Sequence, residues 1–149
     1  MDSTITTTQA ATITCATCQR RNRVDLSRVA QAPQCGACRS PLRLDRPVRA
    51  TQDDLEDTLA SATVTVLVYF YADWCGPCRA SAPAVEALAA RRAGQALVLK
   101  LDTDRNPGAA IRHAIRGIPT FVTFRGGREH RRHVGQAGGA ELARLLGDE

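Results

Sequence analysis

From residue 48 onward the apolar positions fall into two alternating rhythms. Residues 64–71 form a nearly continuous run of β-branched and aromatic side chains, which predicts a strand buried on both faces. Ahead of it, Leu55, Leu59 and Ala62 recur at helical spacing behind Thr51-x-x-Asp54, a capping-box pattern with Asp in place of Glu, and predict a helix over about 51–61. Behind it, Ala82, Val85, Leu88 and Ala89 lie on one stripe of a helix over about 76–93, which Pro83 is expected to kink. Further strands are predicted at 48–50, 95–101 and 120–124, and the hairpin turn Gly126-Gly127 leads from the last of these into a strand at 129–134. Asn106-Pro107 opens a helix over about 107–115, and a last helix covers about 138–146. The order βαβαβαββα implies an α/β fold whose central sheet is part parallel and part antiparallel.

The first third of the chain lacks either rhythm. Residues 1–13 are Thr-rich and read as a loose tail. Residues 14–39 carry Cys15-x2-Cys18 and Cys35-x2-Cys38 with sixteen residues between, the spacing of a four-cysteine zinc site. Each CxxC turn can set two sulfurs on one metal, and four thiolates close a tetrahedral shell with no open position. No histidine precedes His113, so a local ligand set is all cysteine. With Val24, Leu26, Val29 and little else apolar, this segment is expected to need metal to become ordered. The expected organisation is therefore a tail and zinc-binding module at 1–40, a linker at 41–47 marked by Pro41 and Pro47, and the α/β domain at 48–149.

Charge follows the same division. Residues 1–50 hold eight arginines against three aspartates, whereas residues 51–149 are balanced at twelve basic against twelve acidic. No aromatic residue precedes Tyr69, so the basic module lacks a stacking platform for bases and nucleic acid is not the expected partner. Solvated arginines are the expected reading of that basicity. No apolar run is long enough to cross a bilayer, so no membrane role is expected. The N-terminus carries no basic stretch followed by an apolar core, and the cytoplasm is the expected compartment.

The third cysteine pair has a different setting, Trp74-Cys75-Gly76-Pro77-Cys78. Pro77 after Gly76 reads as a strand-to-helix junction that places Cys75 at a helix N-terminus. There the dipole and free N–H groups favour a thiolate, the attacking species in thiol–disulfide exchange. Gly76 is expected to permit a tight turn, and Pro77 to stiffen the helix start. Trp74, beside a nucleophile, is expected to shield it or to touch substrate. His113, His130 and His133 lie outside every motif and read as surface residues.

Four motifs in order, Trp74–Cys78, Asp104-x-Asn106-Pro107, Arg116-Gly117-Ile118-Pro119-Thr120 and Val134-Gly135, resemble the thioredoxin family over about residues 48–147. With two cysteine knuckles ahead, the whole chain looks like the thioredoxin-2 type, the zinc-bearing bacterial class. The resemblance implies a thioredoxin fold with a small zinc-ribbon-like module, and a protein-disulfide reductase acting through Cys75 as nucleophile and Cys78 as resolving cysteine. It implies a cis Pro119 facing the pair and a substrate groove of Trp74, Gly76, Pro77, Ile118, Pro119 and Gly135. It also implies one zinc and no organic cofactor, disulfide-bearing protein substrates, and recycling by an NADPH-linked flavoprotein reductase. Two other readings remain at this point: a disulfide oxidase or isomerase, and a redox-regulated binding or holdase protein. One position departs from the family pattern. A buried Asp usually stands six residues before the nucleophile, and here that residue is Tyr69. With an ordinary pKa of about 10, a tyrosine is no base at neutral pH. Lys100, usually that Asp's partner, is retained without it. Tyr69 reads as a strand residue filling space, and resolution at Cys78 is expected to be slower or to rely on water or another proton acceptor.

Overall fold

The computed structural model of the chain describes residues 9–147. Twelve of its segments matter here. A hairpin of β1 (Ala10–Thr14) and β2 (Arg21–Asp25) runs into a 3₁₀ turn at Leu26–Gln31. The α/β part follows as β3 (Val48–Arg49), α1 (Leu55–Ser61), β4 (Thr65–Tyr71), α2 (Gly76–Arg91), β5 (Ala96–Asp102), α3 (Pro107–Arg112), β6 (Thr120–Arg125), β7 (Arg128–Val134) and α4 (Gly139–Leu145). The main sheet has the order β3-β5-β4-β6-β7, parallel across β3, β5 and β4 and antiparallel across β4, β6 and β7. The expected mixed sheet is therefore present, with β4 at its centre.

The run that reads as continuously apolar divides by strand alternation. Val66, Val68 and Phe70 face one side, with Leu55, Leu59, Leu97, Leu99, Ala109 and Val122. Leu67 and Tyr69 face the other, with Val85, Leu88, Val98, Phe121, Leu142 and Leu145. Successive side chains of a strand point to opposite faces, so a strand covered on both sides must be apolar throughout.

Helix boundaries are tighter than the apolar pattern suggests. Residues 52–54 form a turn rather than helix, but the box is half built: the Asp54 carboxylate accepts from the Thr51 N–H at 2.8 Å. The third helix stops at Arg112, and Ala114 has φ 54°. Pro83 lies within α2. At the hairpin tip Gly126 and Gly127 take φ 59° and 81°, the left-handed conformations a two-residue turn between twisted strands requires. His113 departs from the expected surface position. Its side chain is 13% exposed, hydrogen-bonds Glu56 at 2.7 Å and packs against the rings of Phe70 and Phe124.

The N-terminal third differs most from its expected form. Residues 10–13 are not a loose tail but part of β1, and residues 1–8 lie outside those described. Ala11, Ile13, Val24 and Leu26 are buried in the same core as Val66, Val68 and Phe70. Leu42 and Leu44, in the Pro-flanked stretch, are buried there too. The hairpin is fastened to α1 and the turn behind it. Thr58 Oγ1 donates to the Thr12 carbonyl at 2.8 Å, the Thr12 N–H donates to Ser61 Oγ at 3.1 Å, and the Thr63 N–H donates to the Ala10 carbonyl at 2.9 Å. Arg21 pairs with Asp57, and Arg23 donates to the Ser61 carbonyl at 2.7 Å, so these two arginines bind the helix rather than only solvent. The apolar residues missing from the module's own inventory are supplied by the sheet.

Gly94 marks the tightest point of this contact. It has φ +86°, and a Cβ there would sit 2.9 Å from the Leu26 carbonyl oxygen and 3.2 Å from Val29. Gly94→Ala would therefore meet both a left-handed backbone and a clash with the module. It is expected to lower stability by about 1–3 kcal/mol, read as a reduced urea midpoint at unchanged slope.

Candidate active site and cysteine cluster

The chain leaves β4 at Tyr71, crosses Ala72, Asp73 and Trp74, and enters α2 at Cys75. Cys75 is the N-cap residue, with extended φ −82° and ψ 114°, and its sulfur accepts from the Cys78 N–H at 3.2 Å. A cap normally offers an oxygen to this orphan donor; here sulfur does so, and the arrangement stabilises negative charge on Cys75. Cys75 and Cys78 are joined by a disulfide, with Cα atoms 5.2 Å apart. Pro77 lies in the first turn, where its missing N–H costs nothing. Gly76 differs from expectation. Its φ is not left-handed, and a Cβ there would meet open space. Its lack of a side chain instead leaves the surface beside Cys75 bare.

The loop before β6 faces the pair. The Ile118–Pro119 bond is cis, and the Ile118 carbonyl oxygen lies 3.8 Å from Cys75 Sγ. Gly135, with φ +105°, donates its N–H to the Pro119 carbonyl at 2.8 Å. Trp74 is 67% exposed, and its Nε1–H donates to Asp104 at 2.7 Å. Asp104 is itself set by its N–H, which donates to the Asp102 carboxylate at 2.9 Å. Sequence patterning marks Asp104 only as part of a motif; its hold on Trp74 depends on two loops meeting across 30 residues.

Beneath the pair, the Tyr69 hydroxyl donates to the Cys78 carbonyl at 2.7 Å. The ring stacks on Tyr71 and on Phe121, at 5.1 and 5.3 Å between centroids. Burial, then the neighbouring Tyr71 and Glu86, push its pKa up to about 12. Tyr69 is thus a neutral donor here. A folded pKa above the unfolded value contributes stability that is complete below about pH 10 and is lost as pH rises towards 12. Lys100 is the β5 residue in register with Tyr69, and the two share a cavity of about 610 Å³ with Cys78.

The other four cysteines form one cluster. The Sγ atoms of Cys15, Cys18, Cys35 and Cys38 all lie within 4.8 Å of one another, with Cys15–Cys38 and Cys18–Cys35 both at 3.6 Å. A tetrahedral zinc with Zn–S of about 2.3 Å sets its sulfurs about 3.8 Å apart, so the spacing fits the ion. The donor chemistry fits too. Thr17 N–H donates to Cys15 Sγ and Ala37 N–H to Cys35 Sγ, each at 3.4 Å, from equivalent positions in the two knuckles. Backbone donors from Cys38 and Ala37, with Asn22, hold the Cys35 thiol down to about 6. Asn22 was not legible as a site residue. It donates to Cys35 Sγ at 3.5 Å and to the Arg20 carbonyl at 3.0 Å, and accepts from the Gly36 N–H at 2.9 Å, stitching one knuckle to the other.

These features define a class: a dithiol on a helix N-terminus, in an α/β sheet, is the centre of a thiol–disulfide oxidoreductase. The comparisons with known proteins agree. A family model described as Thioredoxin matches residues 46–148, and one described as Thioredoxin 2, N-terminal, matches residues 14–40. The thioredoxin of Allochromatium vinosum is 37% identical over 102 residues, covering 68% of this chain and 95% of that protein. The thioredoxin of Mycobacterium tuberculosis is 40% identical over 101 residues, covering 68% and 87%. A solved mutant thioredoxin from Halobacterium salinarum superposes with a TM-score of 0.63 at 38% identity, covering 69% of this chain and 89% of that one. The chain belongs to the thioredoxin family, and its cysteine-rich start is similar to the N-terminal zinc ribbon of thioredoxin 2.

Partners that orient a metal's ligands typically set 10–100-fold of its affinity. Asn22→Leu keeps the side chain's size and removes its three hydrogen bonds. It is expected to weaken metal retention by about that factor, measured by chelator competition.

Proposed function

We propose that this protein is a protein-disulfide reductase. The observation that carries the reading is the Cys75–Cys78 disulfide at the start of α2, with Cys75 capping the helix and facing the Ile118 carbonyl. In the reduced protein, the Cys75 thiolate attacks one sulfur of a substrate disulfide. A Cys75–substrate disulfide forms and the other substrate sulfur leaves as a thiolate. Cys78 then attacks Cys75 Sγ, the Cys75–Cys78 bond forms, and the second substrate sulfur departs with the electron pair. The substrate is reduced by two electrons and the protein oxidised by two.

Trp74, Gly76, Pro77, Ile118, Pro119 and Gly135 form the substrate groove in this reading. The bare surface at Gly76 supports close approach to Cys75, and the exposed Trp74 ring, held by Asp104, supplies an apolar contact. An NADPH-linked flavoprotein reductase returns the pair to the dithiol, and the protein works in a bacterial cytoplasm. Residues 1–40, 41–47 and 48–149 are read as module, connecting strap and redox domain. Cys15, Cys18, Cys35 and Cys38 would hold one zinc, a structural ion that orders the knuckles. Two of its thiolates, from Cys18 and Cys38, are on exposed residues, which supports a second, oxidant-sensing use of the same site.

Wild-type protein coupled to a thioredoxin reductase is expected to reduce insulin disulfides, and Cys75→Ser to abolish the activity. Equal behaviour of the two would favour a binding or holdase role instead, and net formation of disulfides an oxidase. Metal-loaded protein is expected to release one zinc per chain on titration with peroxide, read with a chromogenic chelator. Absence of release removes the sensing reading and leaves the reductase reading intact.

A further inference from the structure

Resolution requires Cys78 to lose a proton, and the hydroxyl nearest its backbone cannot accept one. Tyr69 is neutral and already donates to the Cys78 carbonyl. The cavity of about 610 Å³ beside Cys78 holds the remaining options. Arg46 from the stretch before β3, Arg79 from α2 and Lys100 from β5 line it and carry no acceptor in their charged forms. That leaves three carboxylates: Asp45, Asp73 and Glu86.

Their positions separate them. Asp45 lies 3.9 Å from the Nε atoms of both Arg43 and Arg46. Asp73 follows β4, where its charge acts on Tyr71 rather than Tyr69. Glu86 is the carboxylate whose charge acts on Tyr69, the residue bonded to Cys78. Helix geometry explains why. Cys78, Ala82 and Glu86 are spaced four apart on α2, so they form one stripe, and all three line the cavity. Helical side chains lean towards the N-terminus, which carries the Glu86 carboxylate back over Ala82 towards Cys78. Ala82 is small and leaves that path open. Eight residues rise about 12 Å along the axis, more than a glutamate side chain spans, so water must complete the link. A polar cavity of this size is roomy enough to hold it.

We propose that Glu86 is the proton acceptor for Cys78, acting through water in the cavity between α2, β4 and β5. The inference rests on the reading of Cys78 as the resolving cysteine. In the Cys75–substrate disulfide, the Cys78 thiol proton passes through water to the Glu86 carboxylate. The Cys78 thiolate attacks Cys75 Sγ, the Cys75–substrate bond breaks, and the substrate thiolate takes a proton from solvent. Glu86 stands on an exposed part of α2 and returns its proton to bulk water.

The test is a stopped-flow reaction of the reduced, metal-loaded full chain with an aromatic disulfide that releases one coloured thiolate on attack by Cys75 and a second on resolution by Cys78. Glu86→Gln is expected to lower the ratio of second-phase to first-phase rate about tenfold near pH 7, the low end of what a positioned base contributes. The deficit should narrow as pH rises and solvent hydroxide takes the thiol proton in place of Glu86. Adding Tyr69→Asp to Glu86→Gln should restore the ratio at neutral pH by placing a carboxylate on β4. An unchanged ratio across pH, or a deficit that does not narrow as pH rises, overturns the proposal. A wild-type protein with no first phase would instead overturn the reductase reading on which it rests.

Discussion

Everything in this molecule depends on β4 being buried on both faces. It is the middle strand of the five, between β5 and β6, so the residues following Tyr71 emerge at the centre of one edge of the sheet. The alternation that buries Val66, Val68 and Phe70 on one side and Leu67 and Tyr69 on the other also decides what each layer sees. The redox pair lies above the face that holds Tyr69, α2 and α4. The cysteine-rich module joins the opposite face. The same strand thus separates the two sulfur centres while contributing side chains to the core layer beneath each.

The pair itself is built from backbone more than from side chains. A helix start supplies the N–H that meets Cys75 Sγ, and the loop at Ile118–Pro119 supplies the carbonyl facing it. Side chains act a layer further out. Asp104 holds the Trp74 indole, and the Tyr69 hydroxyl binds the Cys78 carbonyl. Such an arrangement separates affinity for a thiolate, a property of the helix terminus, from proton traffic, a property of the cavity behind it.

The apolar rhythm made the α/β part legible because each element has a single period and a plain boundary signal. The continuous run at β4 and the Gly126-Gly127 turn are examples. The two metal-type knuckles were legible for a similar reason: their chemistry is written in local spacing. What could not be read was anything made by distant segments meeting. β1 looks like a Thr-rich tail because its burial comes from α1 and the sheet, with bonds that close across 46 and 49 residues. Leu42 and Leu44 sit between prolines in a stretch that looks like a linker, yet they fill the shared core. His113 has no motif around it, and its place against Phe70 and Phe124 exists only after folding. Asn22 is invisible for the same reason, since one of the bonds that define it closes across fourteen residues.

The shared core has a consequence for how the chain responds to metal supply. A ligand that binds only the folded form stabilises whatever folds together with its site. Because Ile13, Val24 and Leu26 lie in the same apolar cluster as Val68 and Phe70, an ion held by the four thiolates would add its binding free energy to the central strand as well as to the knuckles. Metal availability and the stability of the folded dithiol would then be thermodynamically linked, without any direct contact between the two sites.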